Sequence, residues 1–173
     1  MLRFAVLLLL ALASAAAASD WSRANNCVKL APTFERDGSM LCDLQQSVGA
    51  RARGIIAREL WAADLTTGFT VAFVVFERHA LTARDLSGHV RSYLTGAGRR
   101  PCIVLVVDLT RKLASAVRSP GTAVPSSAVQ VVVEETPRLL RDLPRDKALA
   151  TLATLLTAEL IAGKRSGSSS VHS

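Results

Sequence analysis

Two acidic residues stand where the most apolar segments of the sequence end, and they are the strongest candidates for chemistry. Glu77 follows one continuous run of aliphatic and aromatic residues, and Asp108 is the penultimate residue of another. Such runs predict strands buried on both faces, and ligands of open α/β sheets gather at the carboxyl ends of strands. With Asp64 or Asp85, these carboxylates could hold a hard cation such as Ca²⁺. The alternative is that each is a solvated strand-end residue or caps a neighbouring segment.

The three histidines give weaker support for catalysis. His79 follows the first apolar run, His89 lies within a predicted helix and His172 is next to the last residue. A serine hydrolase of the α/β type would show the Gly-x-Ser-x-Gly nucleophile elbow, which the sequence lacks. We therefore expect no catalytic triad.

A glycine-rich basic loop is predicted at residues 96–100. Gly96 and Gly98, followed by Arg99 and Arg100, resemble an anion-binding loop. The sequence has neither a Walker pattern nor Gly-x-Gly-x-x-Gly. A solvated connection is therefore the preferred interpretation.

The three cysteines bear on folding rather than on metal binding, because none stands in a Cys-x-x-Cys pattern or beside a pair of histidines. Export would permit a disulfide. Cys27 and Cys42 are the candidate pair, which would close a loop of about 16 residues and contribute about 3 kcal/mol. Cys102 lies in an apolar run and is predicted to be a buried thiol, although the odd count also allows it to pair.

The first 18 residues predict export. Arg3 supplies a positive charge, residues 6–12 an apolar core, and residues 16–18 the small side chains that a signal peptidase requires. The core is too short to span ~30 Å of hydrocarbon. Cleavage after Ala18 would leave 155 of the 173 residues, enough for one domain. No second stretch approaches transmembrane length, so we expect a secreted chain without a membrane segment.

The charge balance favours acidic partners. The chain carries 21 Lys and Arg against 14 Asp and Glu, for a net charge of +7, and loss of Arg3 leaves +6. A basic surface favours an acidic receptor face, a sialylated glycan or an anionic membrane. Nucleic acid is not expected, because the arginines are scattered, aromatic residues are few and the predicted compartment is extracellular.

The elements that must position these residues begin with an extended lead-in over residues 19–38. Apolar residues at three- and four-residue steps then predict a helix from Ser39 to about Ala63. The first buried strand follows over residues 69–76.

The middle of the chain predicts a crossover between two strands. Thr82 and Asp85 have the spacing of a capping box at the start of a helix that ends at Gly96. The second buried strand covers residues 102–109, and a right-handed crossover makes it parallel to the first. Residues 111–118 alternate and are interpreted as a hairpin partner of the second strand.

The C-terminal part predicts two helices. Residues 128–137 could form a strand or a helix, and a helix is preferred despite Pro137, with Pro144 as its stop. A last helix runs from Asp146 to Gly163, before a polar tail over residues 164–173 that is predicted to be disordered. The expected fold is a three-layer-like α/β domain over residues 39–163, with a small mixed sheet of about 3–4 strands flanked by about four helices.

The order of these elements over residues 41–163 resembles the TPM domain family, which includes thylakoid lumen phosphatase-like, photosystem-assembly and levamisole-receptor-modulator proteins. The resemblance rests on the Thr-Gly turn before the first strand, the apolar strand ending in Asp108 with a basic strand behind it, and the Pro-Arg-Leu-Leu segment from Pro137. The segment Arg-Asp-Gly-Ser-Met-Leu at residues 36–41 resembles the start of the domain in the animal levamisole-receptor-modulator branch.

The resemblance implies two functions. Members of the modulator branch are accessory proteins of nicotinic acetylcholine receptors, whereas some plant and bacterial relatives are linked to phosphatase activity or Ca²⁺ binding. This chain departs from the first group because no transmembrane helix is visible after the domain, and from the second because no neighbouring carboxylates accompany Glu77 and Asp108. We expect a secreted, non-enzymatic domain, without a cofactor, that binds a membrane receptor or another extracellular protein. The alternative is a phosphatase or Ca²⁺-binding domain that uses Glu77 and Asp108.

Overall fold

A computed structural model describes residues 41–43, 45–68, 70–77, 82–88, 102–119 and 126–168. Within these residues, four strands form one sheet and four helices pack against it. The strands are β1 (Leu41–Asp43), β2 (Thr70–Phe76), β3 (Cys102–Asp108) and β4 (Leu113–Arg118), and the helices are α1 (Ala50–Thr67), α2 (residues 83–88), α3 (Ser126–Asp142) and α4 (Arg145–Ser168).

The sheet is mixed, with the strand order β1-β2-β3-β4. β1, β2 and β3 run parallel, and the register aligns Asp43 with Val75 and Val75 with Val107. β4 returns antiparallel to β3, as the hairpin interpretation of residues 111–118 predicts. The expected α/β class, strand number and helix number are therefore confirmed.

Helices cover both faces of the sheet, because β2 and β3 are buried at every position. Alternate residues of these strands, such as Phe73 and Leu105, face the large core that α1, α3 and α4 complete. The residues between them, such as Val74 and Val106, face a smaller core to which α2 contributes Leu86. The continuous apolar runs of the sequence thus mark strands that are covered on both sides.

α1 and α4 lie side by side and point in the same direction. At the start of α1, the Gly49 amide donates to Asp146 Oδ1 at 3.2 Å. At its end, Lys164 Nζ donates to the Thr66 carbonyl at 2.7 Å. Because Gly49 meets the first turn of α4 and Thr66 meets its later part, the two helices are parallel and begin at the same end of the sheet.

The predicted helix from Ser39 to Ala63 is wrong at its start. Ser39 lies outside the described residues, and Leu41–Asp43 is an edge strand paired with β2. The helix begins only at Ala50, because Gly49 is extended (φ −65°, ψ 153°) and precedes the first helical turn. It also continues past Ala63 to Thr67, and Gly68 ends it in the left-handed region at φ 82°.

The C-terminal segment is helical, which resolves the ambiguity over residues 128–137. α3 includes Pro137 and ends just before Pro144. α4 does not stop at Gly163, contrary to the sequence prediction, and residues 164–168 of the predicted tail are helical. Lys164 anchors this extension, since it donates to the carbonyls of Thr66 and Thr67 at the end of α1.

Several sequence predictions concern parts of the chain outside the described residues. These are the signal peptide over residues 1–18, the lead-in over 19–38, Cys27, His79, His89, the loop over 96–100, and residues 169–173 with His172. They remain predictions. Among the helices that the structure describes, none has both the length and the apolar character to cross a membrane.

Candidate functional site

The parallel strands place several charged residues at one end of the sheet, which we call the carboxyl edge. It contains the ends of β1, β2 and β3 and the turn between β3 and β4. α1 and α2 start there, because each follows a strand that ends there. α4 starts there as well, since Arg145 lies against Glu77. Open α/β sheets bind ligands at this edge.

Glu77 and Asp108 both lie at the carboxyl edge, but the structure does not point them at a common site. Asp108 is the register partner of Phe76, and neighbours in register share a face of the sheet. Phe76 faces the smaller core beneath α2. Glu77 is one residue further along and contacts Arg145 of α4, on the opposite side. The two carboxylates therefore occupy different faces.

Asp108 closes the turn between β3 and β4. Its Oδ1 accepts the amides of Thr110 and Arg111 at 3.0 and 2.9 Å, and its Oδ2 accepts Arg111 Nη1 at 2.9 Å. The turn also requires a left-handed residue, Lys112, at φ 55°. Asp108 thus matches the alternative interpretation of a strand-end residue that caps the following segment.

Glu77 links β2 to α4 through an arginine. Arg145 Nη2 donates to Glu77 Oε1 at 3.2 Å, and Arg145 Nη1 donates to the Ser47 carbonyl at 3.3 Å. The Glu77 amide donates to Gln45 Oε1 at 2.9 Å. One arginine therefore holds together the end of β2, the β1–α1 connection and the first residue of α4.

Asp43 is the carboxylate that the sequence analysis missed at this edge. Its Oδ1 accepts the Ser47 amide at 2.9 Å and the Ser47 hydroxyl at 3.2 Å. Its Oδ2 accepts the Val48 amide at 2.8 Å and Arg53 Nη2 at 2.9 Å. These four donors match the roughly four lone-pair sites of a carboxylate. Asp43 therefore orders the connection that leads into α1.

The two additional candidate ligands are not free to join Glu77 and Asp108. Asp85 closes the predicted capping box: its Oδ2 accepts the Thr82 amide at 3.0 Å, and Thr82 Oγ1 accepts the Asp85 amide at 3.2 Å. Asp64 lies in the last turn of α1, which leads back to the start of β2, at the edge opposite the carboxyl edge. The capping box is thus confirmed, and Asp64 lies at the opposite end of the sheet from Glu77 and Asp108.

The described residues contain no group of three His, Cys, Asp or Glu side chains arranged to hold a metal ion. The hydrogen bonds above give a physical reason at the carboxyl edge. A Ca²⁺ ion needs six to eight oxygen ligands, whereas the oxygens of Asp43 and Asp108 point at backbone amides and arginines. Metal binding there would require these donors to move away.

In each ion pair of the carboxyl edge, the acidic side chain is less exposed to solvent than the basic one. The side chains of Asp43 and Asp108 are 0% exposed, while those of Arg53 and Arg111 are 41% and 39% exposed. In the third pair, Glu77 is 27% exposed and Arg145 is 44% exposed. The surface that solvent meets at these three places is therefore positively charged.

Four further basic residues lie at the same edge without an acidic partner among the described residues. Arg51 and Lys147 stand in the first turns of α1 and α4, Arg84 in the first turn of α2, and Lys112 in the β3–β4 turn. All four are exposed. Together with the three paired arginines they form a basic rim around the carboxyl edge. Sequence analysis read the arginines as scattered because the rim draws them from separate elements.

Cys102 is buried and carries a thiol, as predicted. Cys42 lies beside Val74, which lies beside Val106, four residues beyond Cys102 on β3. Four residues of strand span about 13 Å, far more than the roughly 4.4–6.8 Å between the Cα atoms of a disulfide. Cys102 therefore cannot pair with Cys42, and the pairing of Cys42 with Cys27 stays a prediction.

Comparisons with known proteins show the fold and not the activity. No protein-family model matches the sequence, and no curated protein matches it. The structure is similar to the solution NMR structure of the N-terminal domain of a protein from P. gingivalis, with a TM-score of 0.61 and 11% sequence identity. The similarity covers 80% of this chain and 88% of that one. The chain is thus an α/β domain whose fold is similar to that of the P. gingivalis domain.

Proposed function

We propose that this protein is an exported, non-enzymatic TPM-like domain that binds and modulates a membrane-protein partner through its carboxyl edge. The observation that supports this proposal best is the basic rim. Its acids Asp43 and Asp108 are buried, and although Asp85 is exposed, the exposed basic residues Arg51, Arg84, Lys112 and Lys147 outnumber it. Such a surface favours an acidic protein face and speeds the encounter with it.

The nature of the partner follows from the family resemblance. The animal levamisole-receptor-modulator branch acts on nicotinic acetylcholine receptors, so the extracellular part of such a receptor is the first candidate. A signal peptide over residues 1–18 would bring the domain to that side of the membrane. Secretion is tested directly by expression of the full chain in animal cells and by the N-terminal sequence of the released protein, which should begin at Ser19.

The alternative function is a phosphatase or Ca²⁺-binding domain that uses Glu77 and Asp108. The two side chains lie on opposite faces of the sheet, and Asp108 is held by Arg111 and two amides. A phosphate monoester assay with and without Ca²⁺ tests this function. Hydrolysis that Asp108→Asn abolishes, or a melting temperature that rises with Ca²⁺ and not with Mg²⁺, would favour this alternative over the first.

The proposed function is tested on intact cells with the mature chain and an amine-to-carboxylate cross-linker. Cells that express a nicotinic acetylcholine receptor should give a cross-linked product with the receptor, and the acetylcholine-evoked current should change. Cells without the receptor are the control. Recovery of the uncross-linked monomer alone, with unchanged currents, would refute the proposal for this receptor class.

Charge-reversal variants decide whether the carboxyl edge is the contact surface. Arg84→Glu and Lys112→Glu change exposed rim residues and should each weaken cell binding by about threefold to tenfold at low ionic strength. The effect should shrink at high salt, because exposed charges are screened. Arg58→Glu is the matched control, since Arg58 is exposed in the middle of α1 and away from the rim. Equal effects of all three variants would place the contact elsewhere.

A further inference from the structure

An open groove runs along the outer side of the parallel pair α1 and α4. Its volume is about 760 Å³, within the range of about 300–1,000 Å³ that is typical of ligand sites. On α4 it extends from Asp146 to Ala158, which corresponds to about 18 Å at 1.5 Å per residue. A groove of this length matches a helix of about three turns.

The floor of the groove is apolar and made mainly of small side chains. Ala52 and Ile55 of α1 face Ala150, Leu155 and Ala158 of α4 across it. Small residues along a helix allow a second helix to approach closely, and apolar grooves between helices accept amphipathic helices.

The two threonines of the groove add little polarity. Thr151 Oγ1 donates to the Lys147 carbonyl at 2.8 Å, and Thr154 Oγ1 donates to the Ala150 carbonyl at 3.2 Å. Their hydroxyl groups are therefore engaged within α4 itself. An apolar partner loses no hydrogen bond by lying against them.

One end of the groove opens onto the basic rim. Arg51 and Lys147 line that end, both exposed and without an acidic partner among the described residues. Asp146 lines the same end, but its Oδ1 accepts the Gly49 amide and is therefore engaged by the start of α1. The groove therefore combines an apolar floor with two cations and one carboxylate at one end, which leaves a net positive charge there.

From this asymmetry we infer that the groove binds an amphipathic helix of the membrane-protein partner, with its apolar face on the floor and its acidic end at Arg51 and Lys147. The inference rests on the proposed function, because it names the part of the partner that meets the domain. A fatty acyl chain shares the same chemistry in part, but the open shape leaves one side of the groove in water. A helix can turn its polar face to that side.

The first experiment measures binding of a fluorescent 14-residue peptide by polarisation. The peptide carries leucines at helical spacing on one face and two glutamates in one terminal turn, and versions with the glutamates at either end are compared. A peptide with lysines in place of the glutamates is the control. The mature chain should bind one acidic version at least about tenfold more tightly than the lysine version, since like charges oppose binding.

Two variants and two matched controls locate the binding. Ala158→Trp fills the groove from an exposed position and should abolish binding, whereas Gln130→Trp on α3 should not. Arg51→Glu should weaken the acidic peptide about tenfold and strengthen the lysine peptide, whereas Arg58→Glu on the same helix should do neither. Arg51→Glu keeps the test decisive if the tryptophan disturbs folding, because Arg51 is exposed. Equal binding by wild type and Ala158→Trp, or equal binding of the acidic and lysine peptides, would overturn the inference.

A lipid arm and the cell assay complete the test. Vesicles of phosphatidylcholine and phosphatidylserine with oleic acid replace the peptide. If the wild type binds these vesicles but no peptide, and Ala158→Trp abolishes the vesicle binding, the inference is overturned in favour of lipid. If Ala158→Trp leaves cross-linking to receptor-bearing cells unchanged, the groove is not the contact site and the inference is refuted, while the proposed function stands. If the peptide binds but no cellular cross-link forms, the groove is a helix-binding site and the proposal of a receptor partner is refuted.

Discussion

The carboxylate of Asp43 and the guanidinium of Arg53 lie 2.9 Å apart, with the acid fully buried and the base half exposed. The pair joins the end of β1 to the first turn of α1. Asp108 and Arg111 repeat the same arrangement at the end of β3. Each carboxylate accepts hydrogen bonds from backbone amides of the segment that follows its strand. Each arginine neutralises its carboxylate from the solvent side. An edge built around buried acids therefore presents a basic surface.

We expect Asp43→Ala to lower the free energy of unfolding by about 3 kcal/mol, because loss of one partner of a buried pair costs roughly 3–5 kcal/mol and Arg53 can partly rehydrate. Glu77→Gln is the control. Its pair with Arg145 is partly exposed and should contribute only about 0–1 kcal/mol. Urea unfolding at unchanged slope measures both losses. Equal losses would show that burial of Asp43 does not matter.

The contact between Gly49 and Asp146 should behave as a coupled pair. A Cβ at position 49 would clash with the Asp146 carboxylate, which also accepts the Gly49 amide. Gly49→Ala should cost about 1–2 kcal/mol in the wild type and close to nothing in an Asp146→Ala background. A double-mutant cycle by urea unfolding gives the coupling. Additive losses would mean that the carboxylate moves aside without cost.

The strands with long apolar runs could be predicted from the sequence because their signal is local. The apolar runs of β2 and β3 are uninterrupted, and β4 follows β3 directly through a hairpin. The capping box of Thr82 and Asp85 covers four residues, and its spacing of three positions is visible in the sequence alone. These features need no knowledge of distant parts of the chain.

The missed features depend on distant contacts or on very short elements. β1 has only three residues, too few for a periodicity, and Leu41 also fits a helical stripe. Nothing local indicates that Arg145 reaches Glu77, 68 positions earlier. The sequence prediction for the end of α4 is wrong for the same reason: Gly163 is a typical stop, but Lys164 gains carbonyl partners on α1 when the helix continues. The basic rim and the groove follow from these contacts.

Two glycines of the same helical segment should respond in opposite directions to alanine. Gly54 lies inside α1 with open space where a Cβ would stand, so Gly54→Ala should stabilise by about 0.5–1 kcal/mol. Gly68 ends α1 at φ 82°, so Gly68→Ala should destabilise by about 1–2 kcal/mol. Thermal unfolding of both variants compares them directly. A loss at Gly54 would mean that a partner or another part of the chain approaches α1 there.

The cysteines allow a test that needs no partner. Cys102 carries a buried thiol in the structure, and it lies about 13 Å along the sheet from the residue that is level with Cys42. A bridge within the monomer is therefore expected to join Cys42 to Cys27. We expect alkylation of the secreted, denatured protein without reduction to add one group, on Cys102, and alkylation after reduction to add three. Cys42→Ser should lower the free energy of unfolding by about 3 kcal/mol, whereas Cys102→Ser should leave the bridge intact. An adduct on Cys42 without reduction, or a disulfide-linked dimer, would contradict the predicted pairing.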